Sequence, residues 1–267
     1  YFEPEASVLV AHRGTGVGVS APGAGSAGGA GGSEAHALLS ERRAFVSPAL
    51  APDGSALAVQ VQGQTDHVWV YDLQRGGSPM RLTFQGDNSS PVWFPDSRRV
   101  AIAVRGGERQ EIRAVSLDAL ALGGAGGGAA TGASAGSAES SGGAASAVLV
   151  SSALAISPCA ITPDGKRIVY TQSKAQGGTE LWGATVGDPS SAVCLVPAGA
   201  GFGNAWGGAV SPDGRLLAFV SDQTGRAEVY VQALVFGAPG TAVLEPAHRW
   251  QVSRDGGAGP RFSRDGG

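Results

Sequence analysis

The chain has 267 residues, 44 of them glycine, and a formal net charge of −3 with only 15% charged residues. That weakly acidic balance argues against the dense basic footprint of a nucleic-acid binder or of a protein held to anionic lipid. Two cysteines are too few for a disulfide framework, and no run of about eighteen apolar residues marks a membrane span. The sequence opens at Tyr1 without a signal-peptide pattern and stops at Gly267 inside a repeated motif, which reads as a fragment of a longer protein.

In chain order, residues 7–12 (SVLVAH) read as a strand, the third of a four-strand unit lacking its first half. Residues 13–33 are mostly Gly, Ala and Ser, and 36–40 supply the fourth strand. A full unit follows. Its turn is Pro52-Asp53-Gly54, ahead of apolar 56–60, then 67–73 (HVWVYDL) and 80–85 (MRLTFQ). The turn chemistry is explicit: proline presets φ, aspartate bonds the amides that follow, and glycine accepts φ > 0. The next unit has Pro95-Asp96-Ser97, with Ser97 where the other turns carry glycine, then 100–104 and 111–117 (EIRAVSL). The third has Pro163-Asp164-Gly165, then 168–172, 180–186 (ELWGATV) and 192–197 (AVCLVP). The fourth has Pro212-Asp213-Gly214, then 216–221, a second turn at Asp222-Gln223-Thr224-Gly225, 228–232 (EVYVQ) and 249–253 (RWQVS). A fifth copy opens at 259–266 with Asp265-Gly266. The β-branched and aromatic content of these short runs is that of strands.

The turn aspartates are 43, 68, 49 and 52 residues apart, and removing the low-complexity run 119–146 brings the 68 down to 40. A period of ~40–50 residues with four short strands each is the signature of a β-propeller blade. The expected fold is all-β, a propeller of four-stranded antiparallel blades. It forms an incomplete arc of blades at 47–86, 90–155, 157–203 and 205–254, with partial blades at 7–40 and 259–267. The end fragments lack a second strand, so unpaired edges are expected there.

Several motifs carry the resemblance to a known family. They are Val68-Trp69-Val70-Tyr71-Asp72-Leu73, Arg81-Leu82-Thr83-Phe84, Asn88-Ser89-Ser90-Pro91-Val92-Trp93, Ser211-Pro212-Asp213-Gly214 and Arg249-Trp250-Gln251-Val252-Ser253. The chain resembles TolB-like, WD-type propeller repeats over roughly residues 8–266. It is most similar to the extracytoplasmic propeller region of bacterial membrane-anchored serine/threonine kinases. That resemblance implies a non-catalytic sensor or protein-interaction module, extracytoplasmic or periplasmic. Its protein or peptide partner would sit at the channel mouth or the blade loops, with no cofactor, no nucleic acid and no membrane contact within this segment. Two alternatives stay open: the gating propeller of a prolyl-oligopeptidase-type serine peptidase, and a TolB-like periplasmic scaffold.

Length varies at 22–33, 119–146, 187–191 and 236–247, always between the third and fourth strands of a unit; the low-complexity inserts span 20–33 and 119–146. Their Gly, Ala and Ser content offers little to pack. Within them, Gly132–Gly136 fits G-x-S-x-G and Gly23–Gly28 fits G-x-G-x-x-G, but neither has the strand and helix that would make it a nucleophile elbow or a nucleotide loop. His12, His36, His67 and His248 are scattered without ligand spacing, and no kinase catalytic signature occurs. Cys159 and Cys194 fall on the first and last strands of one blade, roughly 14 Å apart at ~4.8 Å per strand, too far to bridge. The repeated Asp53, Asp96, Asp164, Asp213 and Asp265 could pass for a functional ring. Their expected role, with Gly54, Gly165, Gly214 and Gly266, is to hold turns. No residue is singled out for catalysis, cofactor or metal.

Overall fold

The computed structural model describes residues 8–12, 16–20, 35–37, 43–76, 78–118, 146–199, 203–236 and 249–263. Three strands, β1 (Val8–His12), β2 (Gly16–Ser20) and β3 (Ala35–Ala37), form a small sheet in the order β2-β1-β3, with β2 lying against the next blade. Four antiparallel four-stranded sheets follow. Blade one is β4 (Phe45–Leu50), β5 (Ala56–Val61), β6 (His67–Asp72) and β7 (Met80–Arg81). Blade two is β8 (Asp87–Trp93), β9 (Arg99–Arg105), β10 (Gln110–Ser116) and β11 (Ser146–Ser152). Blade three is β12 (Ile156–Ile161), β13 (Arg167–Ser173), β14 (Thr179–Thr185) and β15 (Asp188–Val196). Blade four is β16 (Ala205–Val210), β17 (Leu216–Ser221), β18 (Glu228–Ala233) and β19 (Arg249–Gln251). Each sheet runs in chain order, and the four are arranged as a β-propeller with essentially no helix.

Burial explains why the second strands look unlike ordinary half-exposed strands. Leu57, Ala58 and Val59 are all buried, as are Val100–Ala103, Ile168–Tyr170 and Leu217–Val220. Both faces of a blade are covered by its neighbours, so alternation disappears in the strand nearest the middle. Third strands keep the alternation: Val68 and Val70 pack toward blade two, while Tyr71 packs with Phe45 and Leu57. Apolar clusters fill every junction. Val68, Val70 and Leu82 meet Val100 and Ile102 between blades one and two; Phe94 and Ile112 meet Ile156 and Ile168 between two and three; Val169 and Leu181 meet Ala205, Leu217 and Phe219 between three and four. At ~25 cal/mol per Å² of apolar surface, this stacking is the main source of stability.

The inner strands share a defect. The β4–β5 register slips between Val46 and Ala49, β8–β9 between Ser89 and Val92, and β16–β17 between Trp206 and Ala209. Ser47 (φ 50°), Ser90 (φ 54°) and Gly207 (φ 65°) sit at these bulges in the left-handed region. A bulge bends the strand and sharpens its twist, and it recurs at the same place in each of these blades.

Several expectations need correction. Residues 16–20 (GVGVS) form β2, not part of an insert: alternating valines satisfy a ladder against β1, pairing Leu9 with Val19 and Ala11 with Val17. Residues 187–191 are not a loop, because β15 begins at Asp188 and Thr185 pairs with it across a tight turn. The fourth strands expected at 80–85 and 249–253 shrink to Met80–Arg81 and Arg249–Gln251, while of 36–40 the first two residues lie in β3 (Ala35–Ala37) and 38–40 falls outside the described residues. Residues 259–263 form no strand and pair with no strand among the described residues. Most of 20–33 and 119–146, with both rejected glycine motifs, His248, Asp265 and Gly266, lies outside the described residues.

Candidate functional site

Antiparallel connectivity sorts the loops. Turns between first and second strands, and connections between third and fourth, share one face of the disc. Loops between second and third strands, and connections from one blade to the next, share the other.

The repeated aspartates lie on the first face, and each is used within its own turn. Asp53 Oδ1 accepts Ser55 N at 2.9 Å. Asp96 accepts Arg98 N at 2.9 Å, Arg99 N at 3.2 Å and Arg99 Nε at 2.7 Å. Asp164 accepts Thr162 Oγ1 at 2.6 Å and Lys166 N at 3.0 Å; Asp213 accepts Ser211 Oγ at 2.5 Å and Arg215 N at 3.0 Å. The hydroxyls of Ser55, Thr162 and Ser211 hold Asp53, Asp164 and Asp213 below the usual carboxylate range. Asp96 is pushed up by desolvation, but the Arg98 amide and Arg99 outweigh that and lower it. Gly54, Gly165 and Gly214 have φ of 75°, 71° and 75°, and Ser97 takes the same conformation at 54°. The turns also touch in sequence: Asp53 N donates to Ser97 Oγ at 3.2 Å, and a Cβ on Gly214 would stand 3.5 Å from Pro163 Cδ.

The cysteines are inert by environment. Cys159 Sγ lies 3.2 Å from Thr171 Oγ1, and burial raises its thiol. Burial and then Glu180 push Cys194 up to about 12. Both are free, and among the described residues no group of three or more His, Cys, Asp or Glu could hold a metal.

Two buried carboxylates missed in the sequence serve as staples at corresponding places. Glu180 opens its strand and binds Lys174 Nζ at 3.2 Å, Trp182 Nε1 at 3.1 Å and Ala198 N at 3.1 Å. Glu228 accepts Arg226 Nε and Gly256 N, each at 3.0 Å, and the Ser253 hydroxyl, which is the main cause of its lowered pKa. Each glutamate thus fastens the connection that leaves its blade. Asn204 does similar work between blades: Asp222 accepts its N at 2.5 Å and Nδ2 at 2.6 Å, while its Oδ1 accepts Thr179 N at 3.1 Å.

Two cavities lined by described residues open on the loop face. A cleft of about 520 Å³ lies where Lys174, Thr179, Asn204, Trp206 and Asp222 meet. A larger groove of about 640 Å³ runs between blades one and two, with Leu82, Ile102, Val104 and Val115 among its lining residues and Phe84, Arg105 and Arg109 beside them. Beside it the outer strand of blade one is short: β7 has two residues, against seven in β11 and nine in β15. Beyond Arg81 only the Leu82 amide continues the ladder, to Val68 O. Blade one therefore leaves part of the face of blade two uncovered.

No family model matches the chain. Its fold has clear counterparts among solved structures. TolB from Acinetobacter baumannii superposes with a TM-score of 0.60 at 19% identity, covering 88% of this chain and 52% of that one. The fold is similar to that of TolB. A TolB candidate from Agrobacterium tumefaciens agrees, with a TM-score of 0.61 at 16% identity over 91% of this chain and 86% of its own. A chain of a nidogen/laminin complex reaches 0.54 at 15% identity over 88% and 76%. This chain spans about half the length of the Acinetobacter TolB. At these identities the likeness concerns architecture, and propellers of one architecture host unrelated activities. No helix among the described residues is long and apolar enough to cross a membrane.

Proposed function

We propose that this chain is a protein-recognition propeller without chemistry of its own, and that it forms the extracytoplasmic sensor part of a membrane-anchored serine/threonine kinase. The observation that carries the recognition reading is the groove between blades one and two. It leaves Phe84 half exposed at its side, whereas the repeated turn aspartates and the two buried glutamates are bound up in turns and staples. The similarity of residues 68–93 to the propeller region of such kinases supports the finer assignment, and the TolB-like fold is compatible with it.

Sequencing the gene through both ends of this segment tests the proposal. A kinase domain followed by one membrane span ahead of Tyr1 is the expected result. A hydrolase domain with a genuine nucleophile elbow after Gly267 would overturn it and make the propeller a substrate gate.

A further inference from the structure

The cleft at the loop end of the junction between blades three and four is lined by side chains that stand at the surface rather than in the core. Ser173, Lys174, Thr179, Asn204, Trp206 and Asp222 are all half-buried. It forms where the hairpin loop of blade three meets the entrance of blade four. Gly178 permits that approach: its φ is 96°, and an added Cβ would stand 2.8 Å from Asn204 Oδ1. The volume of about 520 Å³ is within the ordinary range for a small-ligand site.

Trp206 is the aromatic residue of this cleft, and it is uncommitted. Arg43 Cζ lies 4.7 Å from the ring centroid of Trp69, Trp93 Nε1 donates to Ala49 O at 2.8 Å, and Trp182 Nε1 donates to Glu180 Oε2 at 3.1 Å. Trp206 has neither a hydrogen bond nor a cation over its ring among the described residues, and its indole nitrogen is not buried. The side-chain hydroxyls of Ser173 and Thr179 in the same cleft are equally free.

Asp222 supplies the charge. Both of its side-chain bonds come from Asn204, from N at 2.5 Å and from Nδ2 at 2.6 Å, and both donors are neutral. They hold its carboxyl below the usual carboxylate range, the backbone amide contributing most. No cation pairs with it among the described residues. The cations of this neighbourhood are engaged elsewhere. Lys174 Nζ is 3.2 Å from Glu180 Oε1 and donates to Ala198 O at 3.3 Å. Arg226 Nε donates to Glu228 Oε1 at 3.0 Å, and Arg249 donates to Gln223 Oε1 at 3.0 Å and Gln232 Oε1 at 3.2 Å. Lys174 and Glu180 neutralise each other, so the charge left without a counter-ion in the cleft is that of Asp222. A carboxylate oxygen has two lone pairs, so acceptor sites remain after Asn204 is bound.

We propose that this cleft binds the cationic end of a lysine or arginine side chain of a partner polypeptide, its ammonium or guanidinium meeting Asp222 and its alkyl stem lying along Trp206. A cation beside a tryptophan ring is attracted by the ring quadrupole, and a carboxylate without a counter-ion accepts a charge-assisted hydrogen bond. An anion would meet Asp222 with like charge, and a purely apolar group would strip water from that carboxylate without replacing it. This surface is separate from the groove between blades one and two. The inference depends neither on that groove nor on an attached kinase.

Nuclear magnetic resonance of the isotope-labelled chain reads the contact directly, through the indole N–H signal of Trp206, identified by its loss in Trp206→Phe. The probes are N-acetyl-lysine methylamide and N-acetyl-arginine methylamide, with the norleucine and glutamate counterparts as neutral and anionic controls. At least one cationic probe should shift the Trp206 signal saturably, and less tightly at ~0.5 M salt, while the controls should not. Asp222→Asn should weaken that binding about tenfold or more. Because Asp222→Asn also disturbs the Asn204 contact, Ser173→Arg gives a second route: it places a cation of this chain in the cleft and should block the site with Asp222 intact. Circular dichroism and thermal melts verify that both variants fold. An equal shift from norleucine, a shift from glutamate instead, no shift from either cationic probe, or unchanged binding in both variants would each overturn the proposal. The gene-sequencing result bears only on the kinase assignment, so the two failures are distinguishable.

Discussion

The junction between blades one and two and the junction between blades three and four are built from the same repeat, yet the first is opened by a groove of about 640 Å³, while the second, apart from the smaller cleft at its loop end, is sealed by Phe236 and Leu195 over Gly183. In the sealed junction Leu181 is fully buried among Ala205, Leu217 and Phe219, and Phe236 closes the outer end. In the open one, the inner part is as well packed, with Val68 and Val100 fully buried, but the outer part is a groove. The difference traces to one outer strand of two residues. A propeller can thus keep its stacking energy near the channel and vary its rim, where a lost strand costs little of the core and creates a surface for a partner.

The sharpest way to break this comparison is a pair of truncations. Leu181→Ala should cost ~3 kcal/mol, because a sealed junction cannot collapse around the lost side chain. Leu82→Ala removes the same atoms from a buried side chain that lines the groove, where neighbours can relax toward solvent, and should cost about 1 kcal/mol less. Urea unfolding gives both values, and an equal or reversed order would refute the sealed-versus-open distinction.

Gly203→Ala attacks the staple of the sealed junction. With φ at 60° and a would-be Cβ 2.5 Å from Gln223 N, and closer still to Asp222 Oδ1, the added methyl must displace the Asn204–Asp222 contact. A loss of ~2 kcal/mol is expected, read as a lower urea midpoint. An unchanged midpoint would mean that the staple contributes nothing.

Acid should act on both junctions through the turns and staples. Asp53, Asp96, Asp164, Asp213, Asp222 and Glu228 all have folded-state pKa values below their ordinary 3.8 or 4.5. A depressed carboxyl contributes stability that is present above its unfolded pKa and lost as pH falls through the folded one. The urea midpoint should therefore be insensitive to these groups from neutral pH down to about 5 and drop below about 4. A midpoint that rises on acidification would contradict the assigned hydrogen bonds.

The smallest effect concerns Ser97, which occupies at φ 54° the conformation that glycine holds in the other described turns. Ser97→Gly relieves a left-handed serine worth about 1 kcal/mol but gives up the bond from Asp53 N. A net gain of ~0.5 kcal/mol is expected. A clear loss in thermal melting would show that the contact between turns outweighs backbone strain.

Much of this fold was legible in the chain itself. The Pro-Asp-Gly turns, the uncharged run 216–221 and the β-rich run 228–232 state their local conformations through φ preference, side-chain-to-amide bonding and β-branching, all short-range effects. Their recurrence states the blade. The irregular periphery was less legible: GVGVS at 16–20 is a weak strand signal inside a glycine-rich stretch, and it becomes β2 only because β1 lies beside it. The short β7 was hidden for the converse reason, since 82–85 has strand-like composition but the ladder to β6 ends at Leu82.

The candidate site divides the same way. The repeated aspartates were visible because repetition marks them, and the sequence alone already pointed to turn-making. Arg105 and Arg109 carry no motif, and Phe84 closes the repeated Arg81-Leu82-Thr83-Phe84 run without being marked as a surface residue. They become a groove because blade one stops short of covering blade two, a relation between residues some twenty positions apart in the chain and adjacent only in space. Glu180 and Glu228 likewise look like ordinary strand-start charges until Ala198 N and Gly256 N are seen bonded to them. Local chemistry is enough to determine a repeated blade. Which faces are sealed, which charges are stapled and where a partner can enter depend on how successive blades stack, and only the tertiary structure decides that.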